Sequence, residues 1–149
     1  MKISYKGDYA LKTLLELALI YNKGVVAISE LSQKGDIPDK FLEQVLLMLK
    51  KCGFVDSKRG VKGGYFLARP PEKITIGEVI RFVEGPIKPI ICVGLENYEE
   101  CKDFTSCVFR DIWSQVNTAI SRVVDTITLA ELVRRVKEKN RKENYIYNI

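Results

Sequence analysis

The sequence of 149 residues contains no histidine. Histidine is the commonest general base of enzymes, and its imidazole is a common metal ligand. Nothing else in the chain resembles a nucleophile paired with a base. We therefore expect a protein that is not an enzyme, and any metal site must be built without imidazole.

Long apolar runs are missing as well. No stretch approaches the ~20 residues that a helix needs to cross a bilayer. Residues 1–8 lack the apolar core and the cleavage site of a signal peptide. A hydrophobic content of 46% and a charged content of 29% are ordinary for a globular domain with a core. We expect a cytoplasmic protein that makes no use of a membrane.

The positive charge lies in the first half of the chain. Residues 1–70 hold 12 Lys and Arg against 7 Asp and Glu, a net charge of +5, whereas residues 71–149 hold 12 of each. A basic half joined to a balanced half suits a module that binds a polyanion, followed by a segment with another task. A charge that serves only solubility explains the count equally well.

The expected fold is mainly α with a small β-hairpin wing: a winged helix-turn-helix domain followed by a long dimerisation helix. Apolar periodicity predicts helices near residues 8–21, 28–34 and 38–51, and the third helix carries the stripe Phe41, Leu42, Val45, Leu46 and Leu49. A glycine-containing turn between the second and third helices favours a helix-turn-helix. Short strands at 54–57 and 65–68 flank a basic glycine-rich tip, which predicts a hairpin.

Two capping boxes mark helix starts in the second half, at Thr75-x-x-Glu78 and Thr128-x-x-Glu131. Between them, a long amphipathic helix is predicted from Cys107 to about Asp125. Its apolar stripe exceeds what a small winged domain needs for its own core. The predicted division is therefore a winged module at 1–84, a cysteine-bearing loop at 85–106, and a dimerisation helix with a C-terminal helix at 107–149.

The third helix and the hairpin tip are the candidate DNA-binding elements. Recognition helices read bases from their first turns, and these turns carry Pro38, Asp39, Lys40, Glu43 and Gln44. Arg59 on the hairpin tip suits a narrow minor groove, and glycines let the backbone approach phosphates. The tip residues are Lys58, Arg59, Gly60, Lys62 and Gly63. For each residue alone, a plain solvated side chain is the competing interpretation.

Three further candidates are Cys92, Cys101 and Cys107, which fall within sixteen residues. Thiolates this close together are disfavoured unless a cation neutralises them, as an iron–sulfur cluster or zinc does. No C-x2-C pair is present to favour a structural zinc knuckle. Unliganded reduced thiols and a disulfide switch remain alternatives. Cys52 is interpreted as a small packing residue.

These motifs together resemble the IscR/NsrR/CymR family of winged-helix regulators. The resemblance rests on residues 1–11, 41–44, 76–80 and 128–132, on the wing pattern RGxxGGY from Arg59, and on the three-cysteine loop before a long helix. It covers nearly the whole chain with the motifs in the expected order.

The resemblance implies a homodimer whose long helices cross and whose two winged modules bind a double-stranded DNA operator. It also implies one [2Fe-2S] or [4Fe-4S] cluster per subunit near the dimer interface, whose occupancy or oxidation state alters DNA binding. Cys92, Cys101 and Cys107 match the family's cluster ligands. Cluster-free members, which lack this triad, are the poorer comparison.

The fourth ligand departs from part of the family. IscR-like members use a histidine three residues after the last cysteine, where this chain has Arg110. NsrR-like members take an aspartate from the first helix of the partner subunit, and Asp8 occupies that position. Asp8 can instead stabilise the helix dipole as a first-turn carboxylate.

The predicted function is a cluster-modulated transcription regulator, of the repressor type. The alternative is a winged-helix interaction protein with structural zinc or redox-active cysteines and a protein partner.

Overall fold

The computed structural model of the chain describes residues 2–90, 92–93 and 106–146. Within these ranges the chain forms six α-helices and one antiparallel hairpin, and a 3-10 turn at Pro71–Lys73 precedes the fourth helix. The elements are α1 Tyr5–Leu19, α2 Ile28–Gly35, α3 Asp39–Lys51, β1 Val55–Lys58, β2 Gly64–Leu67, α4 Ile76–Glu84, α5 Arg110–Thr126 and α6 Leu129–Ile146. This order confirms the predicted winged helix-turn-helix followed by a long helix.

Helix α1 begins at Tyr5 rather than near Asp8 because Ser4 caps it. The Ser4 hydroxyl accepts a hydrogen bond from the backbone N–H of Gly7 at 3.2 Å. It also donates to Glu84 Oε1 at 2.6 Å, and the Ser4 N–H donates to the same oxygen at 3.0 Å. The cap is therefore completed by the last residue of α4, eighty positions along the chain.

The core is shared by α1, α2, α3, the hairpin and the first turns of both α4 and α6. Its largest fully buried side chains include Leu14, Leu17, Leu31, Leu42, Leu46, Leu49, Phe54, Ile74 and Leu129. Leu129 is the first residue of α6, so the C-terminal helix returns to pack on the winged module.

The hairpin gains a third, short partner that the sequence analysis missed. Strands β1 and β2 pair from Val55 opposite Leu67 to Lys58 opposite Gly64. Val26, just before α2, exchanges two backbone hydrogen bonds with Tyr65, at 2.9 Å and 2.8 Å. A single bridging residue has no alternating pattern from which a strand can be predicted.

Both capping boxes mark the helix starts as predicted. The Thr75 hydroxyl accepts from the N–H of Glu78 at 3.1 Å, and the Thr128 hydroxyl accepts from the N–H of Glu131 at 3.2 Å. The side chain of Glu78 makes a different contact. Glu78 binds both terminal nitrogens of Arg69, at 2.9 Å and 2.7 Å.

Helix α5 stands apart from the core. It begins at Arg110, after Cys107 rather than at it, and none of its 17 residues is buried against the described part of the chain. Arg81 of α4 holds its last turn through Asp125, with Nη2 to Oδ2 at 2.9 Å, and this contact lowers the pKa of the Asp125 carboxyl. At the same crossing, a Cβ on Gly77 would lie 1.9 Å from Asp125 Oδ1.

Among the described residues, no helix is both long and apolar enough to cross a membrane.

We predict that Gly77→Ala lowers the free energy of unfolding by about 1–3 kcal/mol, the usual cost of overpacking. The added methyl group must displace the Asp125 carboxylate and the Val124 side chain, which lies 2.9 Å from the same position. Urea unfolding followed by circular dichroism measures the change. Ser29→Ala, at an exposed position of α2, is the control and should change stability little. Equal stability of Gly77→Ala and the wild type would contradict this account of the crossing.

Candidate nucleic-acid interface and thiol site

The turn between α2 and α3 fixes the direction of α3. Asp36 adopts a left-handed conformation with φ 49°, and the Ser32 hydroxyl donates to the carbonyl oxygen of Ile37 at 2.8 Å. Ile37 is buried, and Pro38 stands at the N-cap of α3 rather than inside its first turn. The apolar side of α3 therefore packs into the core, and its opposite side faces outward.

The predicted base-reading residues all lie on exposed positions, namely Pro38, Asp39, Lys40, Glu43 and Gln44. The side chains of Lys40, Glu43 and Gln44 make no hydrogen bond or ion pair with any residue that the structure describes. Their donors and acceptors are therefore available to a ligand. Contact with DNA by these residues stays a prediction.

Two apolar side chains on α3 are exposed. Phe41, a member of the predicted apolar stripe, is 58% exposed, and Leu47 is 66% exposed. Phe41 lies at the edge of the stripe, where it meets the ring of Tyr9 from α1 edge-on, with ring centroids 6.3 Å apart. The other members of the stripe are buried, so Phe41 is the member that lies at the boundary between the core and the outside.

The hairpin tip is exposed and basic. Lys58, Arg59, Gly60 and Lys62 are exposed, and Gly63 is partly exposed. The Lys58 ammonium lies 5.9 Å from the Phe66 ring centre, whereas Arg59 and Lys62 make no ion pair with the described residues. The Arg59 guanidinium and the Lys62 ammonium group thus project from a short turn without an ionic partner among the described residues.

The glycines of the tip are needed by the turn itself. The Gly63 N–H donates to the Gly60 carbonyl oxygen at 2.9 Å, and Gly60 has a φ of 110°. A Cβ on Gly63 would lie 2.3 Å from the Lys58 carbonyl oxygen, and one on Gly64 would lie 2.4 Å from the Val26 carbonyl oxygen. Tight backbone packing already requires these glycines, and approach to phosphates stays a prediction.

One lysine ties the hairpin to the end of α3. Lys50 Nζ lies 3.0 Å from Asp56 Oδ1 and donates to the Ser57 hydroxyl at 2.6 Å. Its hydrogen bond lowers the pKa of the Asp56 carboxyl. The exposed side of α3 and the basic tip therefore belong to one packed unit.

Cys92 and Cys107 are partly exposed, and neither is in a disulfide. Cys107 lies just before α5, and its carbonyl oxygen accepts from the N–H of Arg110 at 3.3 Å. Cys101, the third predicted ligand, lies outside the described residues. No group of three His, Cys, Asp or Glu side chains converges among the residues described, which include only two members of the triad.

Cys52 is a different kind of thiol. It caps the C-terminus of α3, packs against the core, and donates from Sγ to the Met48 carbonyl oxygen at 2.7 Å. Burial raises the pKa of this thiol, which opposes formation of the thiolate. These contacts agree with its interpretation as a packing residue.

Asp8 lies on the first turn of α1 and pairs with Lys12, with Oδ2 to Nζ at 2.8 Å. The hydrogen bond to Asp8 raises the pKa of Lys12. Both side chains are about half exposed, and Asp8 lines an open cleft of about 680 Å³ together with Lys2, Ile3, Ser4 and Tyr5. The carboxylate is accessible from outside the chain, and its role as a ligand stays a prediction.

Comparison with known proteins places these features in a family. The family model Rrf2, described as an iron-dependent transcriptional regulator, matches residues 3–135. The transcriptional regulator CymR of Bacillus subtilis is 37% identical over 132 residues, which cover 89% of each chain.

Solved structures agree with the sequence match. The structure of CymR, the global cysteine regulator of B. subtilis, superimposes with a TM-score of 0.77 at 34% identity, covering 91% of this chain and 98% of that one. T. potens IscR superimposes with a TM-score of 0.74 at 32% identity, covering 93% of this chain and 90% of the other. The relatives are named as regulators, which confirms the expectation that the chain is not an enzyme.

Proposed function

Because the chain belongs to the Rrf2 family of transcriptional regulators, we propose that it is a cytoplasmic homodimer that binds a double-stranded DNA operator and responds to an iron–sulfur cluster. The DNA-binding class follows from the family itself. The dimer, the cluster and the individual contact residues are the proposal. One observation carries the DNA contacts: unpaired polar and basic groups of α3 and of the hairpin tip share one packed unit.

The charges on this unit suit a polyanion. Lys40 on α3 and both Arg59 and Lys62 on the tip have no ionic partner among the described residues. Phosphates can therefore be neutralised without breaking an existing ion pair. Gln44, also unpaired, offers the amide that pairs best with adenine in the major groove. We assign α3 to the major groove and the tip to the adjacent minor groove.

Replacing Arg59 and replacing Lys62 should change DNA binding in different ways. We predict that Arg59→Ala weakens binding and relaxes the preference for A/T-rich flanks, because a narrow minor groove attracts arginine. Lys62→Ala should weaken binding to all DNA sequences evenly. It should also reduce the slope of log affinity against log salt concentration by about one, as loss of one phosphate contact does. Both are measured by salt titration on a duplex selected from a random pool.

Lys139→Ala is the matched control, because Lys139 is an exposed lysine of α6, outside the hairpin and α3. Its affinity and salt slope should equal those of the wild type. If the Arg59 and Lys62 variants bind as the wild type does at every salt concentration, the tip does not touch DNA.

The dimer is proposed from the exposed face of α5. At ~1.5 Å per residue, its 17 residues extend for about 26 Å. Apolar side chains on it, and just before it, are 37–77% exposed, namely Val108, Phe109, Ile112, Trp113, Val116 and Val123. Exposed apolar surface on this scale is typical of an interface. A second copy of α5 carries the same apolar side chains and can cover it symmetrically.

We predict that Ile120→Asp converts the dimer to a monomer and abolishes tight operator binding, because a carboxylate on the apolar stripe cannot be buried without a partner. Sedimentation equilibrium at micromolar concentration gives the mass, and the same sample is tested for DNA binding. Ser114→Asp adds the same charge on the opposite side of α5 and should remain dimeric. A well-folded wild-type monomer at this concentration would refute the dimer.

The cluster is proposed from the chemistry of the thiols. Cys92 and Cys107 are partly exposed, not in disulfides, and lie on either side of Cys101. Residues 84–103 hold five acidic and two basic side chains, so the segment itself offers little to neutralise three thiolates. Soft sulfur donors without imidazole suit iron–sulfur ligation. A bound cluster would supply a redox-sensitive group at this position.

The fourth ligand is proposed to be Asp8 of the partner subunit. Its carboxylate lines an open cleft, and among the described residues its side-chain partner is the exposed Lys12, so it can exchange that contact for a metal ion. The position of Asp8 also suggests how the signal reaches the DNA-binding unit. Ser4, which caps the same helix turn, is bound to Glu84 at the start of the cysteine-bearing loop.

Anaerobically isolated protein should be coloured and contain iron and acid-labile sulfide. Serine at Cys92, Cys101 or Cys107 should bleach the protein or make its colour labile, since each change removes a thiolate ligand. Cys52→Ser should leave the absorption spectrum intact, because that thiol is bound to Met48. Visible absorption together with metal and sulfide analysis measures the outcome.

Asp8→Ala tests the fourth position within the same experiment. Loss of a ligand should alter the spectrum or speed decay of the colour in air. Lys12→Ala is the control, since it breaks the same ion pair while keeping the carboxylate. Identical spectra for the wild type and both variants would leave Asp8 as a helix-end carboxylate. If the isolated protein contains stoichiometric zinc and no sulfide, the cluster proposal fails. The metal is then structural, and the winged-helix protein responds to another signal.

A further inference from the structure

Packing within the described part of the chain accounts for only one edge of the Phe41 ring. It is 58% exposed on the first turn of α3, between Lys40 and the outward-facing Gln44. Its exposed side meets nothing in the described part of the chain, and exposed phenylalanine forfeits the free energy that burial provides. A core residue would be buried, and a purely solvent-facing position is better served by a polar side chain.

The ring is also held in a defined direction. Tyr9 of α1 packs edge-on against it, at 6.3 Å between centroids and 61° between planes. Tyr9 is in turn flanked by Tyr5, at 6.2 Å, and by the Lys12 ammonium, at 6.0 Å. One edge of Phe41 is therefore fixed by a second helix, and the other is presented outward beside the candidate base-reading residues.

The surroundings restrict what can cover this ring. Its neighbours Lys40 and Gln44 carry charged and polar groups without partners among the described residues, which suit phosphates and base edges rather than an apolar protein surface. In the major groove, the apolar group that a base offers is the C5-methyl of thymine, and phenylalanine is a side chain that contacts it. We infer that Phe41 is a specificity-determining residue that reads the C5-methyl group of one thymine in the operator.

This inference rests on the proposed DNA-binding function, and its test begins there. A random duplex pool is selected with the full-length wild-type protein, isolated anaerobically, and one enriched duplex is chosen. Each of its thymines is then replaced, one at a time, by deoxyuridine, which removes the methyl group and keeps base pairing. Affinities are measured for the wild type, Phe41→Ala and Leu47→Ala.

At one position, deoxyuridine should weaken the affinity of the wild type about fourfold, the factor expected when the burial of one methyl group is lost. Phe41→Ala should bind the thymine and deoxyuridine duplexes equally at that position. Leu47→Ala, which removes the other exposed apolar side chain of α3, should keep the fourfold difference. Thermal unfolding checks that both variants are folded.

Three results would overturn the inference alone. Wild-type protein that is insensitive to deoxyuridine at every thymine excludes a methyl contact. Equal sensitivity of the wild type and Phe41→Ala assigns the contact to another residue, and loss of sensitivity in Leu47→Ala alone assigns it to Leu47. In each of these cases the proposed DNA binding stands. Failure to enrich any duplex overturns both the inference and the proposed function.

Discussion

Two backbone hydrogen bonds determine how the two halves of the chain meet. The Ile76 N–H donates to the Ile127 carbonyl oxygen at 2.9 Å, and the Leu129 N–H donates to the Ile74 carbonyl oxygen at 3.0 Å. They pair the threonine that caps α4 with the threonine that caps α6. Both helices therefore start from one point, and Leu129 enters the core of the winged module. The end of α5 is tied to the same place.

This junction explains why α5 can be well positioned without being buried. The Arg81–Asp125 ion pair and the close approach at Gly77 hold its last turn against α4. Its remaining turns leave their apolar side chains outside the module. In the sequence, the cysteine-bearing loop connects the end of α4 with the start of α5. An anchored helix with an open apolar face is what the proposed dimer requires.

Local patterns were sufficient to predict much of the fold. The helix-turn-helix, the hairpin and both threonine caps depend on residues within a few positions of each other, and all are present with shifts of at most one residue. The exposure of the candidate base-reading residues also followed from helical periodicity alone. The thiol pattern identified Cys92, Cys101 and Cys107 as a set, but residue spacing contains no information on how a loop brings sulfur atoms together.

The features that sequence reasoning missed depend on contacts between distant segments. The start of α1 is set by Glu84, the third partner of the hairpin is Val26, and the outward position of Phe41 is set by Tyr9. Two of these contacts involve α1, whose first turns touch both the end of α4 and α3. Ser4 at the start of α1 is bound to Glu84, the last residue of α4, and Tyr9 on the next turn packs against Phe41 of α3. Helix α1 therefore connects the end of α4, from which the cysteine-bearing segment departs, with the exposed side of α3 on which the proposed DNA contacts lie.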